Sequence, residues 1–187
     1  MDLLRLKSSW IYKVIILYTK KLQDFLNIKG VGIPLPENMN QDAIWYGNIF
    51  IIKRKKVLQL THEVTRFTIF IHGITKKDNP LNSLILQHLR HHMIKEQIPL
   101  FEMKYIDNMS NESFSYYKKI NKQVLGTMRN MKLIYENYCL TNEIIDDHFI
   151  TQKINTMLVT IHGKYVHPID EFKEYMLTAA LIHSHYY

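Results

Sequence analysis

The chain has 187 residues, 47% of them apolar, with 24 lysines and arginines against 17 aspartates and glutamates, a net charge of +7 before any histidine is protonated. That length supports one well-buried core and leaves little for a second, while five prolines and six glycines are too few for a disordered or linker-rich array. The charge favours polyanions as partners, nucleic acid foremost, and is silent about fold. A single cysteine, Cys139, excludes an internal disulfide and thiolate metal clusters and fits a reducing cytoplasm. Its neighbours Tyr138 and Leu140 predict an inert buried thiol.

The first apolar run, "VIILY" at Val14 to Tyr18, is bounded by lysines and falls far short of the roughly 20 residues a bilayer span needs. No small-residue cleavage site follows it. The expectation is a soluble cytoplasmic protein without a membrane partner, with residues 1–13 as a leader and 14–187 as one domain. Val14 to Tyr18 reads as a buried strand, and Thr19 is placed to cap a helix from Lys20 to Asn27 with Leu22, Phe25 and Leu26 inward. Gly30 to Asn40 reads as a loop by its glycines and prolines.

Trp45 to Gly73 carries the clearest strand signal. Two β-rich arms, "NIFII" and "KVLQL", flank a charged turn at Lys53 to Lys55, and a third arm, "RFTIFI", follows. This predicts an antiparallel meander, with Phe67, Ile69 and Ile71 on one face and Arg66, Thr68 and Phe70 on the other. Asn82 or Ser83 can cap a helix to about Lys95 with Leu84, Ile85, Leu89 and Met93 inward, and Leu100 to Ile106 alternates as a strand does. A strand-like run at Phe114, Tyr116 and Tyr117 leads to "NKQVLGTMRN", and Met131 to Tyr138 reads as a helix. "DDHFITQKINTML" suits a helix or a short strand, and Pro168 opens a C-terminal helix. The order predicts an α+β domain: helices packed on a mostly antiparallel sheet centred on the three-stranded meander.

Four blocks in this order resemble an uncharacterised bacterial family of small proteins, a domain of unknown function. They are "YTKKLQDFLNIK" (Tyr18 to Lys29), "WYGNIFIIKRKKVLQLTHEVT" (Trp45 to Thr65), "KKINKQVLGTMRNM" (Lys118 to Met131) and "KINTMLVTIHGKYVHPIDEF" (Lys153 to Phe172). The resemblance implies a shared fold and no activity. This chain departs from the family pattern at His62 and Glu63, at Gln123, and at Arg129 and Asn130, the last replacing an Asn-Asp pair. Mobile-element, phage-defence or toxin-antitoxin settings suit a small bacterial protein of this kind.

Four groups of residues carry candidate chemistry. Gly126 as a turn and Thr127 as a helix N-cap, with Asn121 and the cations Lys118, Lys119, Lys122 and Arg129, form either a phosphate-holding turn or a structural corner where a strand becomes a helix. The two glycines and adjoining Lys-Ser/Thr of a P-loop are absent. Lys53, Arg54, Lys55 and Lys56 beside Trp45 match the basic-plus-aromatic pattern that holds single strands, and match equally a charged turn protecting a strand end. His62, Glu63 and Arg66 have the side chains of a general acid-base group. His88 and His92, four apart on a helix with His91 beside them, have the spacing of a helical metal site but no evident third ligand, so neither metal nor cofactor is expected. The leading expectation is a protein that works by binding nucleic acid or a partner protein. The rivals are a nuclease-like or nucleotide-processing enzyme using His62, Glu63, Arg66 and Lys122, and a homodimeric assembly module.

Overall fold

In a computed structural model of the chain, residues 14–28, 44–76, 81–98, 114–117 and 121–184 are described, with side chains as far as Thr178. Strand β1 (Val14–Tyr18) and helix α1 (Lys20–Leu26) come first; the Thr19 side chain accepts from Leu22 N, and Asn27 ends the helix in the left-handed conformation. The meander follows as β2 (Ile44–Ile52), β3 (Lys55–His62) and β4 (Thr68–Ile74). Next come α2 (Leu81–Lys95), β5 (Phe114–Tyr117), α3 (Lys122–Thr141), α4 (Asp147–Asn155), a small hairpin of β6 (Val159–Ile161) and β7 (Lys164–Val166), and α5 (Pro168–Ser184). The Gly30 to Asn40 loop, the Leu100 to Ile106 strand and the 1–13 leader lie outside the described residues.

The strand order is β4-β3-β2-β1-β5. The three meander strands pair antiparallel, as their sequence predicts. β1 lies parallel to both β2 and β5, so the sheet is mixed. All five residues of β1 are buried, as expected of a strand covered on both faces. Helix α1 packs closely over Gly47: a Cβ there would stand 2.5 Å from Leu22 Cδ2 and 3.0 Å from Ile16 Cγ2, so those side chains would have to shift.

Alternation along the strands sorts side chains into two layers. Ile16, Trp45, Ile49, Leu58, Leu60, Phe67, Ile69 and Ile71 face α1, α2 and α5, where they meet Leu22, Ile85, Leu89, Met93 and Phe172. On the other face, Ile15, Leu17, Ile44, Tyr46, Phe50, Val57 and Phe70 pack against Val124, Met128, Met131, Tyr135 and Cys139 of α3 and against Ile150 and Ile154 of α4. Helix α2 starts at Leu81, so Asn82 and Ser83 lie inside its first turn and neither caps it.

Strand β4 is an edge, and α4 covers it. Thr68 N donates to Asn155 Oδ1 at 2.8 Å, Asn155 Nδ2 donates to Thr68 O at 2.7 Å, and His72 N donates to Asp147 Oδ2 at 2.7 Å. Asn155 Nδ2 also reaches Thr151 O at 2.9 Å. Removing the amide by Asn155→Ala orphans a buried N–H and a buried carbonyl, at about 1–3 kcal/mol each. Urea denaturation is therefore expected to show a loss of about 2–4 kcal/mol for Asn155→Ala. Asn155→Asp, which sets an acceptor against two carbonyls, should be at least as harmful; a loss within 0.5 kcal/mol would contradict the edge-covering role.

Candidate functional site

The basic hairpin turn proves to be occupied by structural work. Ile52 pairs with Lys55, leaving Lys53 and Arg54 as a two-residue loop, and both take positive φ (46° and 65°), the backbone of a type I′ turn. Lys53 Nζ donates to Asn142 O at 2.8 Å, at the C-terminus of α3 where the helix dipole is negative. Lys56 Nζ sits 4.9 Å from the centroid of the Phe25 ring. Trp45 is 6% exposed and packs on His62 and Phe172, so it offers no face for a base to stack on. Arg54 and Lys55 remain exposed.

At "NKQVLGTMRN" the helix begins at Lys122, five residues before Thr127. Asn121 is the N-cap, accepting at Oδ1 from Gln123 N (3.1 Å) and Val124 N (3.4 Å), while its carbonyl accepts from Leu125 N. Gly126 is therefore inside the helix with open space at its Cβ position, and Thr127 Oγ1 donates back to Gln123 O. The predicted corner lies at Asn121, and two of the amides a phosphate-holding turn would use, those of Gln123 and Val124, are already taken. Val124 and Met128 do face the core, whereas Lys122 and Arg129 are exposed. Lys118 and Lys119 lie outside the described residues.

His62 and Glu63 do not form one site. The His62 ring, 1% exposed, points among Trp45, Phe172 and Tyr175, with Nδ1 at 3.0 Å from Thr65 Oγ1. Glu63 lies across the sheet, where Tyr46 Oη donates to Glu63 Oε1 at 3.4 Å. Arg66 closes the β3–β4 loop at φ 62° and is 3% exposed; its Nε and Glu63 Oε2 are buried without hydrogen-bond partners. Burial lowers the Arg66 pKa, with Glu63 and Tyr46 opposing, and burial together with Glu63 raises the Tyr46 phenol well above its usual range. The three form a constrained polar node under α3, with no imidazole to shuttle protons.

The histidines on α2 acquire a neighbour that spacing along the sequence does not reveal. His148, second residue of α4, brings its Nδ1 to 3.0 Å from Nδ1 of buried His92, and its ring centroid is 5.5 Å from that of His91. His88 stands one helical turn before His92. Burial, then His148, His88 and His91, push the His92 imidazole down to about 3, against a weaker pull from Asp146. Below it on α3, Tyr135 Oη donates to Asp147 Oδ1 at 2.5 Å and lies 3.3 Å from His72 Nδ1. Burial raises the Cys139 thiol, consistent with an inert core cysteine.

A histidine held neutral in the fold near 3 but titrating near 6.5 when unfolded leaves stability untouched above that value. Between pH 6.5 and 3 the unfolded chain binds the additional proton, so stability falls as pH falls, by up to about 1.4 kcal/mol per pH unit. His72, His88 and His148, also lowered by burial, act in the same direction. Urea midpoints at pH 7 and pH 5 should show His92→Gln losing about 1–2 kcal/mol less than wild type on acidification. Equal losses would show that His92 does not titrate in this way.

No curated protein matches the chain. No helix among the described residues is long and apolar enough to cross a membrane. A family known only as a domain of unknown function, DUF6933, matches residues 15–171, which takes in both faces of the sheet, the basic start of α3 and the histidine pair, and the chain belongs to that family.

Proposed function

We propose that the protein acts by binding a polyanion, with single-stranded nucleic acid as the ligand class and the N-terminal half of α3 as the contact surface. One observation carries this reading: between Phe114 and Tyr135 the chain has Lys118, Lys119, Lys122, Arg129 and Lys132 and no carboxylate. Lys122 and Arg129 are exposed and seven residues apart, close to two turns, so they share one stripe of the helix. The positive end of the helix dipole adds to their field, whereas Lys132 is held by Glu136 at 3.1 Å. An extended phosphate backbone fits a stripe of this kind better than a single phosphate does, because the first amides of the helix are committed to Asn121.

A second reading, a partner protein or a second copy of the chain, rests on the other end of α3. Leu133 and Leu140, also seven residues apart, are exposed, and Ile144 just beyond the helix is 85% exposed. Light scattering separates the two surfaces: an assembly built on this stripe runs above the monomer mass without a polyanion and returns to it with Leu140→Lys.

Fluorescence anisotropy with a labelled single-stranded oligonucleotide tests the leading reading. Lys122→Glu with Arg129→Glu is expected to weaken binding by more than tenfold at low salt, and to reduce the slope of log K against log salt by about 0.7 for each phosphate contact removed. Binding that is insensitive to salt, or unchanged in the double variant, would overturn it.

A further inference from the structure

Helices α2 and α4 lie on opposite faces of the sheet, yet they meet around the outer edge of β4, and histidines fill the meeting point. His88 and His92 stand four residues apart on one line of α2 and Glu96, just past the helix end, bonds its N–H back to His92 O, with His91 beside them and His148 opposite on α4. His92 and Glu96 are buried, His148 and His88 are half-buried, and His91 is exposed. The ring centroids of His91, His92 and His148 are 5.0 to 6.1 Å apart in pairs.

We propose that this cluster binds a divalent transition metal of the zinc, cobalt or nickel class, with His92 Nδ1 and His148 Nδ1 as two adjacent ligands and His91 as the third. Two nitrogens each about 2.1 Å from a metal are about 3.0 Å apart at a right angle and about 3.4 Å apart in a tetrahedron. The observed separation of 3.0 Å thus already matches one edge of a coordination shell. Among the described residues no three histidine, cysteine or carboxylate side chains stand together at ligand geometry, so the third ligand has to turn in. Exposed His91, on the rim of the pair, has the freedom to do so.

The chemistry of the pair suits the task. As it stands, one Nδ1 donates a proton to the other. Moving that proton to Nε2 of the same ring, a tautomer change without change of charge, frees both Nδ1 lone pairs for a metal. Glu96 and Asp146 lie within electrostatic reach of His148, which offsets the charge of an incoming cation. Closing α2 onto α4 would also clamp the two helical layers around the sheet edge, so metal binding is coupled to stability.

Titration of the full chain with Co2+, followed by visible absorption and repeated with Zn2+ by calorimetry, tests the site. One-to-one binding is expected, with a rise in thermal midpoint and with His148→Ala and His91→Ala each weakening affinity about tenfold or more. His183→Ala with His185→Ala, at the chain end, should leave it unchanged. Both informative variants alter side chains that are not fully buried, and far-UV circular dichroism verifies their fold. Absence of saturable one-to-one binding, affinity unchanged in either the His91 or the His148 variant, or binding lost with the terminal pair, would overturn the proposal.

Discussion

An edge strand exposes a row of unpaired N–H and C=O groups, and β4 is the long, apolar edge that this sheet has to protect. Helix α4 does so by standing in for a sixth strand. Asp147 and Asn155 are eight residues apart, about 12 Å along a helix, while His72 and Thr68 are four residues apart, about 13 Å along a strand. The two side chains therefore reach the two outward-facing amides together, with the helix running antiparallel to the strand. Only that spacing and direction satisfies both ends at once. The partners are 75 and 87 residues apart in sequence, so this closure waits on contacts of high loop entropy.

Fixing α4 fixes much else. Asp147 also takes the Tyr135 hydroxyl, and Tyr135 stacks on Phe70 with ring centroids 4.2 Å apart, so the C-terminal half of α3 is held to the same strand. Further along α3, buried Gln59 donates to Met128 O at 2.9 Å, and Thr61, Thr68 and Met131 Sδ form a short chain of polar contacts beneath the helix. These polar groups allow one seating of α3, where an all-apolar face would tolerate sliding. The same placement of Asp147 carries its neighbour His148 outward to His92, and the histidine pair is a consequence of covering the edge.

What the sequence makes legible is local. Thr19 and Asn27 bracket α1, Pro168 opens α5, and the alternation of Phe67, Ile69 and Ile71 places β4, because cap chemistry and period-two patterning act over a few residues. The insertion of β1 between β2 and β5 is invisible to such signals, since a strand buried on both faces reads the same whatever its neighbours. The β6–β7 hairpin hides for another reason. Its arms are three residues each and its turn, His162-Gly163 at positive φ, is a single weak mark. Of the site residues, spacing along α2 points to His92, but nothing local links it to His148, 56 residues away. Gly126 misleads because glycine is more often a turn than a helix residue; here Asn121, not Thr127, supplies the cap.

The lysines divide by the sign of the helix they touch. Lys53 lies at the C-terminus of α3, where a cation is favoured by the dipole, and its bond to Asn142 O accounts for it as part of the fold. Lys122 occupies the opposite end, where α4 and α5 carry Asp147, Asp170 and Glu171 instead, and where a cation costs about 0.3–1 kcal/mol. Asn121 satisfies the amides there but leaves that charge uncompensated. A cation placed against the dipole, on an exposed stripe with Arg129 and no carboxylate nearby in sequence, is not explained by stability, and its field is directed at solvent. The dipole of one helix thus separates a cation that holds the fold together, Lys53, from Lys122, which the dipole opposes and which stays exposed.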